Sequence, residues 1–543
     1  MLSNRDTNTI FSMISKPNVP MSSFTQRFRS TMTMDENYIV PIRTIEIVPG
    51  DTLDLDVANF SRLMTLKTPF MDNVYMDIMA FFCPYRILWK NFKKMMGEQN
   101  TPDEDINVSV PTVRIPAISA GTSAADDETL ALIDYLGANP YATNYELSSL
   151  YFRAYNKIYN EWFKDENLID SVVDEYDSDS SDITNYKLLK RGKRKDYFTS
   201  ALPYPQKNNV AVSLPLGTQA PILAGTKMNE LGNNLQLGTQ GSTNGWFNIV
   251  QHPMTTSVHL ADLISGESVH ENTIISSNLY ADLSQATSAT IMALRQAIAL
   301  QVFYERCNIS GTRYTEMIEG FFGISNPDAR LQRPEFLGGK TLNLNMNTVP
   351  QTSATSSVSS DKISPQGNLA AYATIGEGSQ RLFKKSFTEY GCVMIFANIR
   401  ADLTYQQGVP RFFDMKSRLD FYNPTFAHLS EQVVNQSEIY ATGNDSNDKK
   451  VFGYQERDAQ YRYMQNTIAG KLRSQDPQSL DYWHLAQEFD ENVALNADFI
   501  NENVPIDRVV AVQNEPHFLC DFQFTTVFTR PLPLYGTPLS FGL

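Results

Sequence analysis

Two clusters of positive charge stand out in an otherwise acidic sequence. Lys190-Arg191-Gly192-Lys193-Arg194-Lys195 sets five cations in six residues, between Leu189 and Tyr197-Phe198. Guanidinium and ammonium groups at this density suit phosphate oxygens or the carboxylates of a neighbouring subunit. They equally suit a charged turn balanced by acidic loops of the same chain. Arg27 and Arg29 flank Phe28, and cations beside a ring suit single-stranded nucleic acid, charge for the backbone and ring for a base. A frayed basic terminus would carry the same residues. Catalytic signatures are missing: there is no Gly-x-x-x-x-Gly-Lys-Ser/Thr loop, no Gly-x-Ser-x-Gly elbow, no His-Glu-x-x-His and no Cys-x-x-Cys. The histidines are His252, His259, His270, His428, His484 and His517, and none stands within four residues of another. They read as structural residues. Asp54 and Asp56 form a carboxylate pair whose alternation with Leu53, Leu55 and Val57 marks the wet face of a strand. The sequence therefore predicts no catalytic residue, no metal site and no cofactor.

Composition points the same way. The 543 residues carry a net charge of −15, so the chain cannot by itself neutralise a nucleic acid. The positive charge is segregated: residues 183–208 hold seven cations against Asp196, and residues 1–34 hold Arg5, Lys16, Arg27 and Arg29 against Asp6. Charged residues are 19% of the chain and aromatics 11%, a balance that suits large buried contacts with partners as well as a large β-rich core. Cys83, Cys307, Cys392 and Cys520 are far apart and read as free buried thiols. No apolar stretch approaches the roughly 18 residues of a membrane span, and no signal peptide is read at the N-terminus.

The elements that must position these residues are mostly strands. Ile45 and Ile47 alternate with Thr44 and Glu46 before a Pro49-Gly50 turn; Leu53, Leu55 and Val57 follow. Val74 to Phe82 is apolar except for Asp77, as in a strand covered on both sides. Strands return at Phe387–Tyr405 and at Phe518–Thr529. Helices are predicted at Arg86–Gly97, Thr129–Leu136, Ala281–Arg306 and Arg313–Phe322, and partly over Tyr454–Leu472 and Leu480–Phe489. An aromatic helix beginning near Leu147 carries Tyr151, Tyr155, Ile158, Tyr159 and Trp162 on one arc, with Arg153, Asn156, Lys157, Asn160 and Lys164 opposite. Such a stripe is a packing face. Asp174–Asp182 reads as an acidic solvent loop, and residues 343–368 as a polar loop. Strands at both ends, which must meet to satisfy their edges, with helices between them, give a β-sandwich or jelly roll with helical insertions.

Longer motifs carry a family resemblance. Pro49-Gly-Asp-Thr, Pro69-Phe-Met-Asp-Asn73, Phe152-Arg-Ala-Tyr-Asn156, Tyr159-Asn-Glu-Trp-Phe163, Arg191-Gly-Lys-Arg-Lys-Asp-Tyr-Phe-Thr-Ser200, Gly311-Thr-Arg-Tyr-Thr-Glu316, Pro327-Asp-Ala-Arg-Leu-Gln-Arg-Pro-Glu335 and Ser364-Pro-Gln-Gly-Asn368 resemble the major capsid proteins of the Gokushovirinae, single-stranded DNA bacteriophages of the Microviridae. The resemblance implies a non-enzymatic subunit, mainly β with helical insertions, built on an eight-stranded antiparallel jelly-roll barrel with long interstrand loops. It implies a homo-oligomer of sixty copies in a T = 1 icosahedral virion capsid, assembled in the host cytoplasm around circular single-stranded DNA. A host receptor, with carbohydrate one option, would be met by a protrusion near the three-fold axis.

These readings divide the chain into an extended N-terminal arm (1–36), a first core part with helical insertions (37–208), a variable insertion forming the protrusion (209–280), a second core part (281–530) and an extended C-terminal tail (531–543). Arg27, Arg29, Lys190, Arg191, Lys193, Arg194 and Lys195 are the candidate genome-facing or intersubunit cations. Given the acidic chain, a separate small basic DNA-binding peptide or abundant cations should accompany the genome. The competing reading is a β-sandwich carbohydrate- or receptor-binding protein of a phage fibre.

Overall fold

The computed structural model describes residues 20–205 and 327–534, apart from short breaks near residues 100–106, 119–122, 353–368, 428–430 and 514. Within 206–326 it describes the helix Ile291–Ser310, short strands and isolated residues. The chain divides into two compact units, one made of Met1–Pro205 with Ser310–Leu543 and one of Gln206–Ile309.

The first unit is mainly antiparallel β. Its long strands are β1 (Ser22–Met34), β2 (Val40–Ile47), β3 (Thr52–Leu63), β4 (Val74–Pro84), β5 (Glu335–Asn343), β6 (Asn345–Pro350), β7 (Leu369–Ser386), β8 (Gly391–Ala401) and β9 (Phe518–Arg530). One sheet runs β1-β9-β3-β7-β6 and the other β5-β4-β8-β2. Alternation fixes the first sheet: Leu53, Leu55 and Val57 of β3 and Phe518, Cys520, Phe522 and Phe524 of β9 are buried, with their neighbours turned outward. β8 is buried at every position and β4 at nearly every one. Helices and loops cover the outer face of the second sheet, which explains the uninterrupted apolar runs.

Two local features hold these sheets in place. Gly50 takes φ +96 in the β2–β3 turn. The next residue, Asp51, is buried and accepts from Arg530 Nε at 3.1 and 3.0 Å, which ties the turn to the end of β9. At Gly338 a Cβ would stand 2.5 Å from the Leu382 carbonyl oxygen, so only glycine lets β5 pass β7 there.

Several sequence readings change. The expected arm is an edge strand over Ser22–Met34, paired residue for residue with β9. Its partner lies some five hundred residues away, so no local pattern announces it. Asn345–Pro350, read as loop, pairs with β7. The partly helical segments 454–472 and 480–489 show the end of a short strand, Val451–Gln455, and otherwise three-residue turns at Ala459–Tyr461, Gly470–Leu472 and Asp481–Trp483. Arg86–Gly97 is reduced to short turns ending at Gly97. Helix α1 (Glu128–Tyr135) is capped by Asp127, whose side chain accepts from Thr129 and Leu130. Helix α2 (Leu150–Ile158) continues into a wider π turn over Tyr159–Phe163.

Most of 209–280, and most of the helix expected at 313–322, lie outside the described residues. The second unit, described by itself, contains helix α3 (Ile291–Ser310). Leu294, Ile298 and Val302 of its expected apolar stripe are exposed rather than packed.

Candidate assembly and genome-contact surfaces

The aromatic stripe of α2 packs within its own chain. Tyr155 is buried; its hydroxyl donates to the Ile39 carbonyl at 2.9 Å and accepts from the Leu189 amide at 3.0 Å. Ile158 and Tyr159 are buried beside it. Tyr151 donates to Glu46 at 2.8 Å, and the Trp162 indole donates to the Pro334 carbonyl at 2.9 Å. The π turn sets both Trp162 and Phe163 against Phe81 of β4, with centroids 5.4 and 5.7 Å away.

The opposite arc of the helix is covered as well. Arg153 and Asn156 are buried. Arg153 donates to the carbonyls of Glu175, Ser178 and Ser180 and to Ser181 Oγ, at 2.7–3.2 Å. Asp179 accepts from the Trp89 indole and from Asn91. The acidic segment 174–182 is therefore not a free solvent loop: it is clamped over the helix by a buried guanidinium.

The basic run lies where two hydrophobic cores meet. Tyr186 and Leu188 belong to the main core and Tyr197 and Phe198 to a smaller one with Val434, Ile439, Phe452, Phe499 and Ile500. Between them the run is paired on both sides. The Arg191 amide donates to Asn37 and that of Lys193 to Ile500, while Arg191 accepts from the Glu502 amide. Arg191 reaches Asp77 Oδ2 at 2.6 Å and Asn398 at 3.1 Å. Asp77 also accepts from Arg400 at 2.8 Å and Thr341 at 2.6 Å. Burial would raise the Asp77 carboxyl, but hydrogen bonds from Arg400 and Thr341 and the charge of Arg191 outweigh it and hold it at about 2.

Lys193, expected to face genome or a neighbour, is instead 5% exposed, its ammonium 4.4 Å from the Phe499 ring centroid and 5.3 Å from that of Phe489. Burial lowers it to about 8, against the charges of Asp196 and Glu502. Burial likewise lifts Glu502 to about 8, against Arg191 and Arg400. Lys195 pairs with Asp165, and Lys190 lies 5.5 Å over Tyr38. Arg194 is the loosely held member, 58% exposed and 4.0 Å from Asp77.

Arg27 and Arg29 stand on the outward face of β1, and the fold adds two cations that sequence reading missed. Arg43 on β2 lies 4.7 Å over the Phe28 ring, which stacks on Phe524 at 5.2 Å. Arg62 on β3 lines, with Arg29, Arg43 and exposed Phe60, an open cleft of about 990 Å³. Arg29 is 3.3 Å from Asp521. No carboxylate pairs with Arg27, Arg43 or Arg62 among the described residues. Arg43 and Arg62 are isolated cations on strands of different sheets, and only the fold brings them to one cleft.

The sequence profile of the phage capsid protein (F protein) family matches residues 12–540. The chain belongs to that family. It is 39% identical over 550 residues to the capsid protein VP1 of Bdellovibrio phage phiMH2K, covering 100% of this chain and 99% of that one. Against capsid protein VP1 of Chlamydia phage 1 the identity is 34% over 588 residues, and against that of Spiroplasma virus 4 it is 36% over 555, each covering 97% of both chains. These relatives agree with the gokushovirus resemblance read from the motifs.

As a major capsid protein the chain has a structural role, not an enzymatic one, and is built for assembly into an oligomeric shell. No helix among the described residues is long and apolar enough to cross a membrane. Cys83, Cys392 and Cys520 are free and buried, and burial pushes Cys520 up to about 12. One cluster could in principle hold a metal: ligand atoms of Asp35, Glu36 and His517 lie within 4.8 Å of one another. His517, however, commits Nδ1 to Glu36 at 2.8 Å and Nε2 to Asp507 at 3.0 Å. Desolvation opposes its charge, but the Glu36 hydrogen bond and the charges of Glu36, Asp35 and Asp507 win and raise it to about 9. In this arrangement the imidazolium is itself the cation, and it ties the start of β9 to the β1–β2 link.

Proposed function

We propose that this capsid protein is a jelly-roll subunit, sixty copies of which close a T = 1 shell around circular single-stranded DNA in the host cytoplasm. The observation that carries the reading is strand order. Setting β6 aside, the sheets run β1-β9-β3-β7 and β2-β8-β4-β5, which in chain order is the alternation of two interlocked Greek keys. The outward strip of Arg27, Arg29, Arg43 and Arg62 with Phe60 supports a genome-facing surface there. Arg194 and Lys195, the most exposed members of the second run, remain candidates for a neighbour or the genome. Residues 209–280 are proposed as the protrusion near the three-fold axis that meets a host receptor, flanked by the core parts 37–208 and 281–530 and followed by the tail 531–543. A chain at −15 needs help to neutralise packaged DNA, so a small basic peptide or bound cations complete the particle.

The test is expression of the chain with its phage genome, followed by electron microscopy and extraction of nuclease-protected DNA. Uniform shells holding single-stranded DNA are expected; small oligomers alone would remove the shell reading. Replacing Arg27, Arg29, Arg43 and Arg62 with Gln should leave shells intact while lowering their DNA content. Normal content in that variant would remove the genome contact from this strip.

A further inference from the structure

An exposed group of aromatic side chains in the first unit lies on the segment from Arg411 to Phe426 and the turn at Tyr461–Met464, whose Met464 end borders the cleft that Arg194 lines. Phe413 is 78% exposed and Met464 98%. Phe412, Phe421, Tyr422 and Tyr461 are each about half exposed. Three of them meet: Tyr461 lies 5.4 Å from Phe412 and 6.0 Å from Tyr422, centroid to centroid, and Phe413, Phe421 and Met464 stand beside these in sequence. Isolated soluble chains rarely show so much contiguous apolar area.

The segment is held in shape. Arg411 donates to the Val433 carbonyl at 2.7 Å and to Glu438 at 3.1 Å. Asp420 accepts from the Lys416 and Ser417 amides at 2.9 and 2.6 Å. Asn423 caps the turn at Pro424–Phe426, and Arg457 lies 5.7 Å over Phe426. The rings are therefore presented on a braced loop, so little ordering entropy is lost when they are covered.

We propose that this surface is a docking face for a second copy of the same chain. Three observations select that occupant. The first is area: six side chains of about 200 Å² each, exposed by a little over half on average, present on the order of 750 Å². That approaches the roughly 800 Å² per partner of an ordinary stable interface. The second is composition. Aromatic residues with Met and Arg, and little net charge, mark the apolar centre of a lasting protein–protein contact rather than a nucleic-acid site. The third is charge. Residues 411–422 hold Arg411, Lys416 and Arg418 against Asp414 and Asp420, a net of +1 on a chain at −15. Copies of an acidic chain repel, and a slightly cationic apolar face is where a neighbour's acidic surface can approach. The contact is heterologous, this face meeting a different face of the neighbour, as closure under a rotation of order above two requires.

The inference rests on the capsid reading but not on shell geometry, and the test separates the two. Hydrogen exchange is followed by mass spectrometry on assembled particles and on subunits dissociated from them. Peptides covering 411–423 and 461–464 should exchange at least tenfold more slowly in the assembly. Equal exchange in both states overturns the proposal, whether fast in both or slow in both, the latter meaning that the chain covers itself. If only small oligomers form, the shell reading fails, and the same comparison between oligomer and monomer still decides the contact. As a second arm, Phe413→Asp with Phe421→Asp should raise the subunit concentration needed for assembly more than tenfold with an unchanged melting temperature. An unchanged threshold overturns the proposal, and if the double variant melts early the exchange result alone decides.

Discussion

Asp77→Asn tests whether the second basic run is a structural staple. Asp77 is 5% exposed and faces Arg191 at 2.6 Å and Arg400 at 2.8 Å, and Arg400 is itself 3% exposed. Asparagine keeps the shape and one acceptor but leaves two guanidiniums without their counter-ion. Removing one partner of a buried pair costs about 3–5 kcal/mol. The unit that contains it has roughly 440 residues, and unfolding entropies of about 2.1 cal/mol/K per residue convert that loss to a melting temperature about 3–5 °C lower. Arg191→Gln should fall in the same direction. Arg194→Gln, at an exposed guanidinium 4.0 Å from Asp77, should cost under about 0.5 kcal/mol. The assay is differential scanning calorimetry of dissociated subunits at one scan rate. Acid adds an independent reading. The folded carboxyl titrates at about 2, below the model-peptide value of 3.8, so its contribution is present above that value and disappears as pH falls from about 4 through 2. Asp77→Asn should lack this part of the acid limb. A variant as stable as wild type, or Arg194→Gln as damaging as Arg191→Gln, would refute the staple.

Other perturbations read other joints of the same unit. His517 is raised to about 9 in the fold from 6.5, so its stabilisation is complete below pH 6.5 and fades as pH rises through 9. His517→Gln should flatten the decline in melting temperature over that interval, and a wild-type slope in the variant would discount the clamp. Arg153→Met removes the guanidinium that donates to residues 175–181. It should cost about 3–5 kcal/mol and open residues 170–182 to limited proteolysis, and an unchanged cleavage pattern would argue against the clamp. Asp51→Ala, which removes the buried acceptor of the part-exposed Arg530 at the β2–β3 turn, should lower stability by about 1–3 kcal/mol and fray β9, read as faster amide exchange over 525–530.

What could be read locally was read well, and what depends on distant partners was not. β3 and β9 announce themselves because Leu53, Leu55, Val57 and Phe518, Cys520, Phe522, Phe524 keep a strict period of two. β7 escaped notice because its run is rich in small residues and its register with β3 shifts between Glu377 and Gln380 and again between Arg381 and Phe383. β1 looks like a tail because an edge strand carries polar and charged side chains. The burial of Arg153 and Asn156 was not legible, because residue type says nothing about a loop folding back over them. The cationic strip was half legible: Arg27 and Arg29 advertise themselves by flanking Phe28, whereas Arg43 and Arg62 join them only through strand order.

The basic run illustrates how a dense charge motif can mislead by sign alone. Five cations in six residues suggest a surface waiting for phosphate, yet Arg191 and Lys193 stand where the main core and the smaller core meet. A junction of this kind favours charge for a physical reason. Two apolar clusters pressed together directly would slide, whereas a paired backbone segment with Arg191 on Asp77 and Lys193 on two rings fixes one relative position. Hydrogen bonds and ion pairs are directional, and apolar contact is not. For a capsid subunit the distinction matters more than total stability. A face such as that of Phe412, Phe413 and Tyr461 meets its neighbour in one orientation only if the core beneath it has one arrangement. On this argument the conservative change Lys193→Met, which keeps the apolar contacts with Phe489 and Phe499 and removes a buried charge, should leave melting nearly unchanged or raise it, while broadening the distribution of assembled particles seen by electron microscopy. Uniform particles from that variant would mean that packing alone sets the arrangement.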